Sequence, residues 1–146
     1  MWIRWKWILF VAAGVVIGCS RTDMVQREYA DGASLRADGV ITKGWVSESL
    51  PNDVRAIKLE TNLDTNAVWM QFRAGPREVD EIARVCSKAE LRVEDVPVGR
   101  VSTWWPGDLT KDRFNPSGFT SYRCGDGGLF AIGTPTSPIH FWRLPN

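Results

Sequence analysis

Two neighbouring runs of residues, 55–61 and 67–73, alternate between apolar and polar side chains and so restrict the folds open to this chain. Ile57 and Leu59 share one face of the first run, and Val68, Met70 and Phe72 share one face of the second. A period of two is typical of antiparallel strands with one buried face. The intervening residues 62–66 are rich in Asn, Asp and Thr, whose side chains hydrogen-bond to the backbone in turns. We therefore predict a β-hairpin.

A helix is predicted to follow the hairpin. Gly75 and Pro76 interrupt the strand, and Pro76 suits the first turn of a helix, where its missing N–H is not needed. The residues that recur at i, i+3, i+4 and i+7 to form one apolar face are Val79, Ile82, Ala83 and Cys86. Lys88 complements the negative end of the helix dipole. We expect this face to lie across the sheet, with Cys86 pointing inward.

Shorter signals complete the fold prediction. Residues 33–38 indicate a short helix that ends at Gly39, a residue suited to the conformation just past a helix end. The other strand-like runs are residues 91–101, interrupted by Pro97, and residues 119–124, 129–133 and 139–144. Together these elements predict an α+β fold, a small antiparallel sheet of five or six strands with one main helix packed on one face.

The first eighteen residues have the form of a bacterial export signal. Arg4 and Lys6 precede an uncharged stretch at residues 7–18, which is typical of a positive n-region followed by a short apolar h-region. Such a stretch is shorter than the about 20 apolar residues that a membrane-spanning helix needs. We therefore predict that residues 1–18 are removed. An ordinary secretory signal and a retained anchor helix are the alternatives.

Residues 16–19, with the sequence Val-Ile-Gly-Cys, resemble the lipobox of bacterial lipoproteins. The resemblance implies that the sulfur of Cys19 carries a diacylglyceryl group and that the chain is cut before Cys19. Two or three acyl chains hold a protein on a membrane for practical purposes permanently. Because Ser20 is not the Asp that resembles an inner-membrane retention signal, we expect the outer membrane, facing the periplasm, in a host with two membranes.

The mature chain has a nearly balanced charge. Removal of Arg4 and Lys6 with the leader leaves 16 basic and 17 acidic side chains. This balance gives no electrostatic reason to expect binding to nucleic acid, whose protein partners are usually strongly basic. We expect residues 19–33 to form a lipidated N-terminus and flexible tether, and residues 34–146 to form a single globular α+β domain.

Cys86 and Cys124 are the two cysteines that remain once Cys19 is lipidated. In an exported protein they lie in an oxidising compartment, and we favour a disulfide between them. Two buried free thiols and a redox pair are the alternatives. The chain has no CxxC spacing, which argues against redox catalysis.

Trp45, Trp104 and Trp105 are the candidate contact residues for a partner or a glycan. The adjacent tryptophans of the stretch WWPG at 104–107 are not easily both buried, and exposed aromatic faces suit sugar rings or a protein partner. For this stretch we favour the alternative, in which Trp104 or Trp105 covers the core beneath a long loop.

His140 is the only histidine of the chain, and we expect it on the surface of an edge strand rather than in catalysis. Catalysis by a histidine would need a partner nucleophile, and no serine lies in a GxSxG turn. A zinc site would have too few ligands, and Asp126 among glycines lacks the Lys and helix start of a P-loop. We therefore predict no catalytic residue, no metal and no cofactor.

Four short motifs carry a resemblance to a known group of proteins. They are DGVI at 38–41, GWV at 44–46, LP at 50–51 and DTN at 64–66, the last followed by Trp69 and Phe72. The motifs resemble those of short uncharacterised bacterial lipoproteins, some of them described as YbbD head-domain-like, and cover about a third of the chain. Ser47 stands where the group has a proline. The group has no established activity, so the resemblance implies a cell-envelope location and not a reaction.

From these features we expect a cell-envelope lipoprotein that presents a small non-enzymatic interaction domain to an envelope protein. The second hypothesis is a glycan- or peptidoglycan-binding module that uses Trp104, Trp105 and Trp45 as its contact residues. An enzyme, such as a hydrolase, is the third.

Overall fold

Seven antiparallel strands form one open sheet in the computed structural model, which describes residues 23–98 and 102–145. The strands are β1 (Met24–Asp31), β2 (Arg55–Asn62), β3 (Val68–Arg73), β4 (Ser87–Ala89), β5 (Thr120–Arg123), β6 (Leu129–Ile132) and β7 (Ile139–Arg143), and the helices are α1 (Gly32–Ala37) and α2 (Pro76–Val85). The strand order across the sheet is β1-β2-β3-β7-β6-β5-β4. The predicted α+β class is confirmed, and the sheet has seven strands rather than five or six.

The predicted hairpin is present as β2 and β3. Leu59 of β2 lies directly opposite Met70 of β3, so the apolar faces of the two runs coincide. The side chain of Asn62 closes the turn, because its Oδ1 accepts hydrogen bonds of 3.0 Å from the backbone N–H groups of Asp64 and Thr65. This is the local chemistry expected of an Asn at a turn.

Helix α2 covers one face of the sheet and begins at Pro76, as predicted. The carboxylate of Glu78 accepts a hydrogen bond of 3.0 Å from the backbone N–H of Gly75, which satisfies a donor at the start of the helix. Ile82 of this helix is fully buried against the sheet. We call the core on this face the helix-side core; its members include Ile57, Leu59, Met70, Phe72, Ile82, Phe130 and Phe141.

The opposite face of the sheet is covered by an irregular segment, described at residues 90–98 and 102–119. This segment contains four short 3-10 turns, Val93–Asp95, Gly107–Leu109, Lys111–Arg113 and Pro116–Gly118. We call the core on this face the loop-side core; its members include Trp69, Leu91, Val96, Trp105, Leu109, Leu129 and Trp142. The central strands are therefore buried on both faces, which the periodicity of the sequence did not predict.

The predicted strand at residues 91–101 is wrong over its described part, 91–98. A 3-10 turn occupies Val93–Asp95, and the carboxylate of Asp95 accepts a hydrogen bond of 2.9 Å from the backbone N–H of Arg92. Leu91 and Val96 are buried in the loop-side core. The buried apolar residues of this segment therefore flank a 3-10 turn and do not belong to a strand.

The predicted flexible tether at residues 19–33 is wrong from Met24 onward. β1 occupies Met24–Asp31 and pairs with β2 along its length. Val25, Arg27 and Tyr29 are half-buried, whereas the residues between them are exposed. A charged residue in the half-buried row hid the alternation, although the carbon stem of an arginine packs as an apolar group.

The predicted leader at residues 1–18 and the predicted lipidation site Cys19 lie outside the described residues. Within the ranges 23–98 and 102–145, neither helix is long and apolar enough to cross a membrane.

Candidate functional site

Cys86 and Cys124 form a disulfide, as the sequence analysis favoured, with their Cα atoms 4.4 Å apart. Cys86 caps the end of α2 and Cys124 directly follows β5, so the bond ties the end of the helix to the end of that strand. Both residues are buried in the helix-side core. Their environment indicates a structural role rather than a reactive one, since a catalytic cysteine pair is usually accessible.

Trp105 lies in the loop-side core and is 4% exposed. Its indole N–H donates a hydrogen bond of 3.0 Å to the backbone carbonyl of Leu109, and its ring packs edge-on against that of Trp142 at 5.7 Å. Trp104 is half-buried and packs edge-on against Trp105 at 6.0 Å. The favoured alternative is confirmed for Trp105, which covers the core beneath the loop.

Trp45 lies between α1 and β2 and is half-buried against the helix-side core. The guanidinium carbon of Arg27 lies 5.6 Å from the centroid of the Trp45 ring, and Nζ of Lys43 lies 5.1 Å from it, both within cation–π range. The guanidinium of Arg143 donates hydrogen bonds to the backbone carbonyls of Gly44 and Trp45. We call the following six residues the Trp45 surface: Arg27, Tyr29, Asp38, Lys43, Trp45 and Arg143.

Asp38 organises the charges of the Trp45 surface. Its carboxylate accepts a hydrogen bond of 2.6 Å from the hydroxyl of Tyr29 and pairs with the guanidinium of Arg27. The hydrogen bond from Tyr29 and, to a lesser extent, the contact with Arg27 lower the pKa of Asp38. Burial and the hydrogen bond to Asp38 raise the pKa of Tyr29. With one carboxylate and three cations, the six residues carry a net charge of +2 at neutral pH. The Trp45 surface therefore suits a partner that presents carboxylates.

The structure does not bring the three predicted contact tryptophans together. Trp45 packs against the helix-side core, whereas Trp104 and Trp105 pack against the loop-side core, so the sheet lies between them. Trp105 is too deeply buried to touch a partner. The prediction that the three tryptophans form one contact set is therefore wrong, and Trp45 lies instead beside cations that the sequence analysis did not single out. Arg27 was missed because its strand had been assigned to the tether.

His140 lies on β7 between β3 and β6, so its predicted position on the surface of an edge strand is wrong. The side chain is 6% exposed, and its ring packs edge-on against Trp105 at 5.5 Å and Phe119 at 6.3 Å. Burial lowers the pKa of His140 to about 4. Its Nδ1 is buried with no hydrogen-bond partner in the described part of the chain. His140 is therefore a neutral core residue at physiological pH.

Glu60 is a buried carboxylate that the sequence analysis missed. It is 3% exposed on the loop-side face of β2, opposite Trp69 of β3, and accepts a hydrogen bond of 3.1 Å from the side-chain amide of Gln26. Burial raises the pKa of Glu60. Alternation in the hairpin assigns Glu60 to the polar face, and nothing in the local pattern shows that this face is also covered.

A cleft of about 590 Å³, lined in part by charged side chains, lies where α2 begins. Arg77 lines it and pairs with the carboxylates of Asp53 and Glu78. The hydrogen bond from Arg77 makes the largest contribution to lowering the pKa of Glu78, and hydrogen bonds from backbone N–H groups lower it further. Three of the charged side chains that line the cleft thus pair with one another, and the contact of Arg77 with Asp53 links the helix to the segment before β2.

A comparison with family models places a YbbD head domain at residues 23–73. No curated protein matches the chain, and no solved structure does. The matched region is about a third of the chain and contains β1, α1, β2 and β3, and the resemblance to a YbbD head domain is confirmed there. Five of the six residues of the Trp45 surface lie within it, whereas Trp104, Trp105, His140 and the disulfide lie outside it.

Proposed function

We propose that the chain is a lipoprotein of the bacterial cell envelope whose domain binds an acidic envelope protein through the Trp45 surface, without catalysing a reaction. The observation that carries this proposal is the half-exposed ring of Trp45 with Arg27 and Lys43 over it. Tryptophan and arginine are the residues most enriched among those that dominate binding energy at protein interfaces.

The anchoring part of the proposal rests on the leader, with its short apolar stretch and the lipobox that ends at Cys19. The disulfide supports it independently, because such bonds persist in exported proteins and are rare in the cytosol. An acylated Cys19 would hold the domain on a membrane, at the periplasmic side of the outer membrane in a host with two membranes.

Binding of peptidoglycan is the second candidate function, because the ring of Trp45 could stack on a sugar. A sugar would have to compete with Arg27 and Lys43 for the faces of that ring. A protein with exposed carboxylates would instead use the cations and the ring together, and this is why we rank the protein partner first.

Photocrosslinking in intact cells tests the proposal. A photoreactive residue is placed at exposed Thr42, beside the Trp45 surface, or as a control at exposed Lys111 of the loop-side layer. We expect a specific protein adduct from position 42 alone, reduced about tenfold by Trp45→Ala, as is common for a residue that dominates an interface. Trp104→Ala is the matched control, since Trp104 is also half-buried but lies on the opposite face.

Two outcomes decide between the protein partner and the glycan, and a third measurement tests the anchor. The absence of any adduct specific to position 42 would refute the protein partner. Binding of the purified protein to isolated peptidoglycan that Trp45→Ala abolishes would favour the glycan. The intact mass of the mature protein tests the anchor separately, since a lipidated chain begins at Cys19 and carries the mass of its acyl groups.

A further inference from the structure

Within residues 23–98 and 102–145, no strand pairs with the outer edge of β1. β1 is the first strand in the sheet order and pairs with β2 alone, and it runs for eight residues without a proline. The opposite edge is formed by β4, which has three residues. Short strands are a common protection against unwanted pairing, and a long open edge is a template on which another chain can add a strand.

The register shows which backbone groups face outward. The backbone N–H of Leu63 donates a hydrogen bond of 2.8 Å to the carbonyl of Asp23, and the antiparallel pairing continues from there in steps of two. Odd-numbered residues such as Arg27 therefore bond to β2, whereas the N–H and C=O groups of Gln26 and Glu28 point away from the sheet. None of the described residues offers these outward groups a backbone partner.

We propose that an extended segment of the partner protein adds to β1 as an eighth strand of the sheet. The inference rests on the proposed function and extends it from the Trp45 surface to the adjoining strand edge. Arg27 belongs to both, since it lies on β1 and over the ring of Trp45. Backbone hydrogen bonds along β1 would supply affinity, and a carboxylate of the added strand facing Arg27 and Lys43 would supply selectivity.

A second copy of the chain fits this edge less well. If two β1 strands join antiparallel into a continuous sheet, residues of the same face must lie opposite each other. The two registers with the longest overlap then place Arg27 opposite its own copy or Glu28 opposite its own copy. Like charges directly opposite each other destabilise a sheet. The occupant is therefore a different, acidic segment.

Paired substitutions at Glu28 test the strand addition in full-length protein in cells. Glu28→Pro removes the outward N–H but leaves the bonds of Arg27 to β2, and Glu28→Ala removes only the exposed side chain. We expect the adduct formed from position 42 to fall about tenfold with Glu28→Pro and to persist with Glu28→Ala, since one hydrogen bond and its neighbours are lost. Gln26→Pro, at the second outward position, should also lower the adduct; because it removes the amide that hydrogen-bonds Glu60 as well, Gln26→Ala is its matched control.

Hydrogen exchange in the purified protein checks the register and the fold of the variants. The amide of Arg27 should be protected and that of Glu28 should exchange rapidly, in the original chain and in Glu28→Ala. An adduct that persists in both proline variants while the fold is retained overturns the strand addition and leaves the proposed function intact. A self-adduct of the chain also overturns it, whereas the absence of any adduct from position 42 in the protein without the Glu28 or Gln26 substitutions refutes the proposed function itself.

Discussion

His140 and Glu60 are two ionisable side chains buried on the loop-side face of the sheet, and burial acts on them in opposite senses. It lowers the pKa of His140 to about 4 and raises the pKa of Glu60. In both cases the neutral form is favoured in the folded protein. The folded domain therefore binds fewer protons at His140, and more at Glu60, than the unfolded chain does.

The substitution His140→Phe should flatten the acid side of the stability profile. In the unfolded chain His140 takes up a proton below its ordinary pKa of 6.5, whereas in the folded protein it does so only near pH 4. The contribution of neutral His140 to the free energy of unfolding is therefore complete above about pH 6.5 and is lost as the pH falls to 4. The difference corresponds to about 3 kcal/mol of unfolding free energy. Urea unfolding from pH 7 to pH 4 measures it, and parallel profiles of the two proteins would contradict the assignment.

The substitution Glu60→Gln should stabilise the domain at pH 7. Burial penalises the charged form of this carboxylate, whereas a neutral amide carries no such penalty, and Gln26 can hydrogen-bond to either group. Because the pKa of Glu60 is raised, the original protein gains stability as it takes up a proton, so the advantage of the variant should shrink as pH falls. Glu28→Gln, on an exposed neighbour of the same face, serves as the control in urea unfolding. A lower midpoint for Glu60→Gln at pH 7 would count against this account.

The sequence predicts the environment of a residue well when that environment is formed by its neighbours in the chain, and poorly when it is formed by distant segments. The inward positions of Cys86 and Cys124 follow from the periods of one helix and one strand, and the disulfide was predicted correctly. The burial of His140 depends instead on β7 lying between β3 and β6, an arrangement that its neighbours in the chain do not encode. Trp45 could be singled out from the sequence as a candidate contact residue, but the cations beside it come from β1, from β7 and from the loop before it.

At the scale of elements, the hairpin and α2 were predictable because their periods are regular and their ends carry turn or helix-start residues. β1 was missed because Arg27 occupies a place in its half-buried row. The stretch 91–98 was assigned to a strand on its apolar residues, whereas the capping carboxylate of Asp95 turns the chain there. Side-chain chemistry decided both cases against the apolar pattern.

The disulfide joins two elements, and its removal should cost the domain about 4 kcal/mol of unfolding free energy, because it closes a loop of 38 residues in the unfolded chain. The double variant Cys86→Ala, Cys124→Ala should lower the stability measured by urea unfolding by this amount. Reduction of the original protein should give a similar loss, and reduction of the double variant should give none. A loss below about 1 kcal/mol would mean that the unfolded chain is already restricted there.

At the scale of the whole molecule, the sequence supported the α+β class but not the strand order. β3 pairs with β7, about 70 residues later in the chain, and local sequence patterns do not predict such a distant pairing. The second covering layer, made of 3-10 turns and loop, was also beyond prediction, since it has no regular period. The unpredicted pairing and layer bury His140 and Glu60, and they leave Trp45 on the other side of the sheet from Trp104.

The place of β1 also decides how the domain carries a mechanical load. Tension that enters through residue 23 acts on an edge strand, and the antiparallel ladder to β2 would resist it one rung after another. If a partner grips the same strand, the load passes along β1 from one end to the other. The other six strands of the sheet then carry little of that load, so the domain can remain folded under tension.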